Sequence, residues 1–301
     1  MKGIIRAGGL GTRLYPSTRA VNKQLIPVYD KPAVYYSISL LMMAGITEIQ
    51  IASAPRYLQA YQELLGDGSG FGISISYQAE NGTVSFPDAL LEGRDHIGTQ
   101  SVAVALGDNV FIGETLCQRM QDAVKRFQKT KGAVVFSKTI ADPREYGVLE
   151  FDGSGSIRSL ESKPQNPRGN DAVTGLFFFD ANVIEIIEKA KAVAGPSFTL
   201  ADLLRIYLGE GRLHCERLDE SIQWYDMGTP ERLYLACSAV RDFQRRNGSF
   251  AGSVEEIAFD SGLIDQKQLL ALSAGMGNTE YGKYLAGRAS AIRPELGTIA
   301  K

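Results

Sequence analysis

Residues 7–13 read Ala7-Gly8-Gly9-Leu10-Gly11-Thr12-Arg13 and follow directly on the apolar run Gly3-Ile4-Ile5. Glycines at 8, 9 and 11, placed at the end of a strand, leave backbone N–H groups free and let a polyphosphate approach closely. The N-terminus of a helix following the loop would add a favourable dipole. The spacing is neither G-x-x-x-x-G-K-[ST] nor G-x-G-x-x-G, so the P-loop and dinucleotide fingerprints both fail. An ordinary strand-to-helix turn uses glycines too. Two cations lie beside the loop, Arg13 within it and Lys23 in Asn22-Lys23-Gln24. An arginine there can grip β- and γ-phosphate oxygens in pairs, and a lysine can neutralise charge on the phosphoryl group under attack. Without the loop they would read as two solvated surface charges. Asp108 follows an apolar run at 101–106 and Gly107, which places a carboxylate at the carboxyl edge of a sheet, where open α/β folds bind ligands. Asp226 lies in a second strand-like stretch that ends in Gly228. Either Asp, taken alone, is as readily a cap or turn residue.

These groups must be held by a sheet. Short β-branched or apolar runs at 2–5, 48–52, 74–77, 101–106, 133–137 and 176–179 alternate with helix-length segments. The alternation predicts an α/β fold, a Rossmann-like mixed and mostly parallel central sheet flanked by helices. Val34, Ile38, Leu41 and Met42 predict a helix over 32–44 that packs one face on the sheet, with Gly45 closing it. Residues 147–152 and 156–161, joined by Gly153-Ser154-Gly155, read as a hairpin forming a small β subsheet or lid. From about 225 the pattern is helical. It is clearest over 230–247, where Leu233, Leu235, Val240 and Phe243 recur among charges, and short helices follow over 254–285. The expected organisation is a core over 1–240 with an inserted β-hairpin region, a C-terminal helical region over 241–287, and a flexible tail over 288–301 without periodicity.

Composition narrows the partners. The 301 residues are 44% apolar and 22% charged, enough to bury a full core. A net charge of −2 with the two signs interspersed gives no footprint for nucleic acid or an anionic membrane, so a small molecule is the expected partner. Cys117, Cys215 and Cys237 lack C-x-x-C spacing, which indicates neither a disulfide framework nor a zinc site and predicts buried thiols in a reducing cytosol. The apolar start is too short for a signal-peptide core, and no stretch reaches transmembrane length, so a cytoplasmic location is expected. His96 and His214 sit in no motif, and Trp224 beside Tyr225-Asp226 could line a pocket or simply pack.

The run Gly3-Ile4-Ile5, residues 7–14, Lys23-Gln24-Leu25-Ile26-Pro27 and Val28-Tyr29-Asp30-Lys31-Pro32 resembles the signature of bacterial glucose-1-phosphate thymidylyltransferases. The resemblance continues in order through Leu64-Leu65-Gly66-Asp67-Gly68, Leu106-Gly107-Asp108-Asn109, Tyr146-Gly147-Val148, Lys163-Pro164, Ala172-Val173-Thr174-Gly175 and Tyr225-Asp226-Met227-Gly228-Thr229. It ends in Glu255-Glu256-Ile257-Ala258 and Tyr281-Gly282-Lys283-Tyr284, and so spans nearly the whole chain. It implies a nucleotidyltransferase core of the GT-A-like type with a sugar-binding hairpin and a C-terminal assembly and regulatory region. The implied reaction joins a nucleoside triphosphate, dTTP by default, to a sugar 1-phosphate, by default glucose 1-phosphate, with release of pyrophosphate. By the same resemblance, Arg13, Lys23 and Asp108 are the catalytic set, and Asp108 and Asp226 hold Mg²⁺. Gly8, Gly9, Gly11, Thr12, Arg13, Gln24 and Glu80 would bind the nucleotide, and Asp108, Gly147, Ser162, Lys163 and Val173 the acceptor. A homotetramer and a second, regulatory nucleotide site are also implied.

The departures from the family cluster in its pockets. Glu80 stands where a Gln usually reads the thymine edge, and a carboxylate accepts hydrogen bonds without donating, which suits guanine or cytosine better. A register shift there would make Gln78 the reader instead. Ser85-Phe86-Pro87-Asp88-Ala89 replaces a Gly-Leu-Ala-Gln-Ala wall, Ser162 replaces a Glu that binds sugar hydroxyls, and Gly195 aligns with an Arg that holds sugar phosphate. Arg6 is an added cation before the loop. Two other readings therefore stand beside the default: an active nucleotidyltransferase with a changed nucleotide or phosphorylated substrate, and a non-catalytic nucleotide-binding paralogue. Keeping Arg13, Lys23, Asp108, Lys163 and Asp226 together argues against the last.

Overall fold

The computed structural model describes residues 1–82 and 84–291. Its centre is four parallel strands. Lys2–Arg6 is flanked by Glu48–Ser53 on one side and Val102–Leu106 on the other, and Ser74–Ala79 extends the sheet beyond Glu48–Ser53. The first three are apolar runs rich in Ile, Val and Ala with most side chains covered on both faces, as expected of a buried parallel sheet, whereas Ser74–Ala79 at the edge is partly exposed. The mixed character begins at Asp171–Phe179, a fully buried strand antiparallel to Val102–Leu106, Ala133–Thr139 and Gly147–Phe151. Its first residues pair with the hairpin Gly147–Phe151 and Ile157–Ser162, and its last four with Val102–Leu106. The hairpin thus stands as a small subsheet at one end of a nine-stranded sheet. Leu213–Leu218 pairs parallel to Ala133–Thr139 and forms another edge.

The helix Ala33–Met43 packs on the sheet and is buried over ten of its eleven residues, more than the one-sided pattern predicted, because the C-terminal helices cover its other face. Those helices are Val254–Asp260, Gln266–Gly275 and Glu280–Ser290. Val254, Ala258, Phe259, Leu269, Leu285 and Ala289 belong to the same apolar cluster as Ile5, Val34, Ile38 and Ile51. Gly72, at φ 67°, lies so close to this unit that a Cβ there would come within 2.4 Å of the Leu263 carbonyl oxygen. A polar contact adds to the junction. The Lys31 ammonium, 3% exposed, lies 2.8 Å from Asp30 and over the rings of Tyr36, Phe250 and Tyr281 at 5.9, 5.2 and 4.6 Å. Tyr281 donates to the fully buried Glu255 carboxylate at 2.5 Å.

Two expectations change, the start of the tail and the burial of Cys117. The last helix runs to Ser290, and Arg288 within it pairs with Asp260 and Glu256, so the tail cannot begin at 288. The remainder of that tail lies outside the described residues. Residues 85–89, expected only as an altered pocket wall, form the start of the helix Phe86–Glu92, with Ser85 as its cap and Pro87 tolerated in its first turn. Cys117 is exposed rather than buried, and all three cysteines are free thiols. Among the described residues no helix is long and apolar enough to cross a membrane.

Candidate active site

The glycine loop leaves the sheet between two parallel neighbours, so it opens at their carboxyl ends. Its root is held by buried polar groups. The Ala7 amide donates to Ala52 O at 2.7 Å, and Asn22 Nδ2 and Ser53 Oγ each donate to Ala7 O at 2.9 Å. Asn22 Oδ1 accepts from Tyr61 Oη at 2.8 Å and from the Gln24 amide at 2.9 Å, which ties the loop to the Lys23 segment. The loop turns at Gly11, φ 62°, into a 3₁₀ turn, Thr12–Leu14. A helix dipole was expected there; a three-residue turn supplies little of one, and anion affinity falls to the loop amides and the neighbouring cations.

Lys23, 7% exposed, reaches under the loop to place Nζ 2.6 Å from Asp108 Oδ2, and Asn109 Nδ2 donates to Asp108 Oδ1 at 2.9 Å. Asp226 is brought alongside by a two-stranded ribbon, Asn109–Ile112 antiparallel to Gln223–Asp226, in which Asp226 is the register partner of Asn109. The Met227 amide donates to Asp108 O at 3.0 Å and fixes the same join. Of the two carboxylates that resemblance pairs, Asp226 thus ends one strand of the ribbon and Asp108 directly precedes the other. Asp226 Oδ2 accepts from Arg232 Nη1 at 2.9 Å and from Tyr146 Oη at 3.2 Å. Arg232 also pairs with Glu145 at 3.0 Å, and Glu145 pairs with the exposed Arg13 at 3.2 Å. Burial and the nearby Asp226 charge push the Tyr146 hydroxyl far above its ordinary value, so it acts as a donor. Trp224 packs edge-on against Tyr146 at 5.0 Å and donates to Asn109 Oδ1 at 2.6 Å, a packing role with a polar anchor. Sequence reasoning missed Glu145 and Arg232. Glu145 directly precedes the Tyr146-Gly147-Val148 motif, and Arg232 carries no sequence signal.

Two cavities meet here. One, of about 390 Å³, is lined by Arg6, Gly8, Gly9, Gly11, Thr12, Gln24, Glu80, Val84, Leu106 and Asp108. The other, of about 300 Å³, contains Gly147, Ser162, Lys163 and Val173, and it shares Leu106 with the first. Every residue expected to bind nucleotide lines the first cavity except Arg13, which faces Gly228 and Glu145. Asp226 lines neither and reaches the second only through Tyr146. His96 is remote from both, its ring nitrogen 3.0 Å from Gly3 O.

Arg6 and Glu80 change the first cavity's character. Glu80, not Gln78, points into it, from the end of Ser74–Ala79. Its carboxylate is 2% exposed, lies 3.7 Å from Arg6 Nε, and has an Oε1 without a hydrogen-bond partner. Burial pushes its pKa up while Arg6 pulls it down. Arg6 Nη2 donates to Val84 O at 2.8 Å, and the guanidinium lies 5.7 Å over the Phe86 ring. Arg6 is therefore committed to the first cavity. Glu80 also explains Gly8, because a Cβ there would come within 1.9 Å of Glu80 Oε2. Gly8→Ala is expected to force the carboxylate aside and raise the nucleotide KM about tenfold while leaving the fold intact. An unchanged KM would show that Glu80 moves freely.

An α/β sheet with a glycine loop, a lysine–carboxylate pair and two adjoining cavities at its carboxyl edge defines an enzyme that handles phosphate esters. The model of the family described as nucleotidyl transferase matches residues 2–242. The chain is 44% identical to the glucose-1-phosphate thymidylyltransferase of Mycolicibacterium smegmatis over 95% of its own length and 98% of the relative's. It is 43% identical to that of Xanthomonas campestris pv. campestris over 94% and 95% of the two chains. A crystal structure of a glucose-1-phosphate thymidylyltransferase from Bacillus anthracis superposes with a TM-score of 0.75 at 32% identity, over 80% of this chain and 96% of that one. The chain belongs to the nucleotidyl transferase family.

Proposed function

We propose that the chain joins a nucleoside triphosphate to a sugar 1-phosphate and releases pyrophosphate, with dTTP and glucose 1-phosphate, the pair pointed to by its relatives' names, as the first combination. A phosphate oxygen of the acceptor forms the new bond to the α-phosphorus as the bond from that phosphorus to the bridging oxygen of pyrophosphate breaks. The nucleophile is already anionic, so no proton has to be removed and catalysis is positioning with charge neutralisation. The observation that carries this reading is the Lys23–Asp108 pair, whose partly exposed carboxylate lines the first cavity beside the glycine loop, two positions after Leu106, which both cavities share. Lys23 would neutralise the α-phosphate, Arg13 the departing pyrophosphate, and Lys163 the acceptor phosphate.

Asp108 and Asp226 would hold Mg²⁺. Both are carboxylates already turned toward a cation, Lys23 and Arg232 respectively. Among the described residues no cluster of three or more Asp, Glu, His or Cys is present. That donor set suits an ion that takes its remaining ligands from substrate phosphates and water. When bound, Mg²⁺ supplies positive charge to the phosphate oxygens. A homotetramer belongs to the same proposal, supported by the exposed Tyr29, Tyr234 and Leu235, apolar area of the kind an interface covers. A cytoplasmic location fits the free cysteines.

A second reading concerns the base. Glu80 accepts and Arg6 donates within one cavity, a pattern that fits an amino-bearing base better than thymine. The test is pyrophosphate release with Mg²⁺, glucose 1-phosphate and each nucleoside triphosphate in turn. Release dependent on both substrates is expected, and Glu80→Gln should raise the dTTP rate relative to GTP and CTP about tenfold. Silence with every nucleotide would sink the assignment with glucose 1-phosphate.

A further inference from the structure

The second cavity is short of free polar side chains that could hold a hexose. Its walls are Leu106, Leu160, Val173, Phe177, Leu200 and Leu204. Three of its hydroxyls already give their protons to groups of the protein. Tyr146 Oη donates to Asp226 at 3.2 Å, Thr174 Oγ1 to Phe136 O at 2.9 Å, and Thr199 Oγ1 to Asp202 at 2.7 Å, where it caps the helix Leu200–Gly209. Among the described residues no carboxylate lines the cavity. What remains lies at the mouth: the exposed hydroxyl of Ser162 and the exposed ammonium of Lys163. Lys163 is held in a left-handed conformation, φ 46°, with its amide bonded to Tyr146 O at 2.8 Å. Such conformations persist where the surroundings enforce them. The cavity's side chains thus offer a cation at the entrance and mostly hydrocarbon inside.

We infer that the acceptor is a phosphate monoester whose body turns C–H surface rather than hydroxyls into this cavity, as a deoxyhexose 1-phosphate does. The inference rests on the reading that the cavity beside Lys163 takes the acceptor of nucleotidyl transfer. The phosphate stays at the mouth with Lys163, near Leu106 and the Asp108 end of the first cavity. Each hydroxyl pressed against the Leu, Val and Phe walls gives up water without receiving a partner. A hydrophobic pocket discriminates against an added hydroxyl by about 10- to 100-fold.

The experiment compares kcat/KM for pyrophosphate release, with whichever nucleotide the protein turns over, across glucose 1-phosphate and its 2-deoxy, 4-deoxy and 6-deoxy counterparts. At least one deoxy acceptor is expected to exceed glucose 1-phosphate by about tenfold or more. Ser162→Glu, which places a strong hydrogen-bond acceptor at the mouth, should shift that ratio back toward glucose 1-phosphate. Glucose 1-phosphate as the best acceptor, or a ratio that Ser162→Glu leaves unmoved, would overturn the inference while leaving nucleotidyl transfer standing. No pyrophosphate from any acceptor, in a protein that still binds nucleotides by thermal shift, would overturn the catalytic reading and this inference with it.

Discussion

Lys23→Met is expected to lower kcat by about 100-fold or more with little change in melting temperature, since methionine keeps much of the apolar stem and removes only the charge that would face the phosphate. Asp108→Asn should cost a similar factor. The two groups touch at 2.6 Å and would serve one cluster of phosphate oxygens. The double variant should therefore fall only slightly below the worse single one, the non-additivity of residues that act as a unit. Arg13→Ala should cost less, because its side chain is 59% exposed and its Glu145 partner is also held by Arg232. Steady-state pyrophosphate release beside a circular-dichroism melt would decide the matter. A Lys23→Met enzyme within threefold of wild type would remove Lys23 from the chemistry.

The second large effect is one of stability. Arg6→Leu leaves the Glu80 carboxylate buried at 2% exposure without its counter-ion, and breaking a buried pair from one side costs about 3 kcal/mol. The sign with pH follows from burial, which raises the folded pKa of Glu80 above its ordinary value. The folded chain keeps that proton after the unfolded chain has lost it, so stability falls as pH rises from the ordinary carboxylate range up to the folded pKa. Arg6 opposes this in the native protein, and its loss lifts the folded pKa further and extends the window upward. The melting temperature of Arg6→Leu should thus trail wild type more at pH 8 than at pH 5, and adding Glu80→Gln should recover most of the difference at pH 8. An equal deficit at both pH values would mean that Arg6 acts through packing on Phe86 alone.

The sheet was largely legible because its strands are continuous apolar runs. The helix Pro230–Asn247 was placed correctly by its recurring Leu, Val and Phe positions, and the structure closes it with Thr229 and Gly248. Leu213–Leu218 escaped notice because His214, Glu216 and Arg217 interrupt its apolar positions, and its place at a sheet edge is set by Ala133–Thr139 rather than by local pattern. Residues 85–89 were read only as an altered pocket wall, and that this wall is the first part of a helix capped by Ser85 emerges from the structure. In the site, each group's type was visible but its partner was not. Glu80 looked like a free reader of a base edge, whereas 74 positions of chain separate it from the arginine that sets its charge state. Lys23 and Asp108 are 85 positions apart, and only the order of strands brings them together.

The C-terminal helices share their interior with the sheet, and this governs how the protein could be shortened. A chain cut after Asn247 would lose Val254, Ala258 and Phe259 from beneath Tyr35 and Ile38, and would strip two of the three rings from over the Lys31 ammonium. Lys31 lies eight positions from Lys23, and the turn Lys23–Leu25 and strand Pro27–Val28 fill the interval. Trimming the distant end of the polypeptide would therefore loosen the segment that carries Lys23 to Asp108. Neither half can be engineered as an independent module, and a reporter or affinity handle is better joined beyond Ser290 than grafted in place of the last helices.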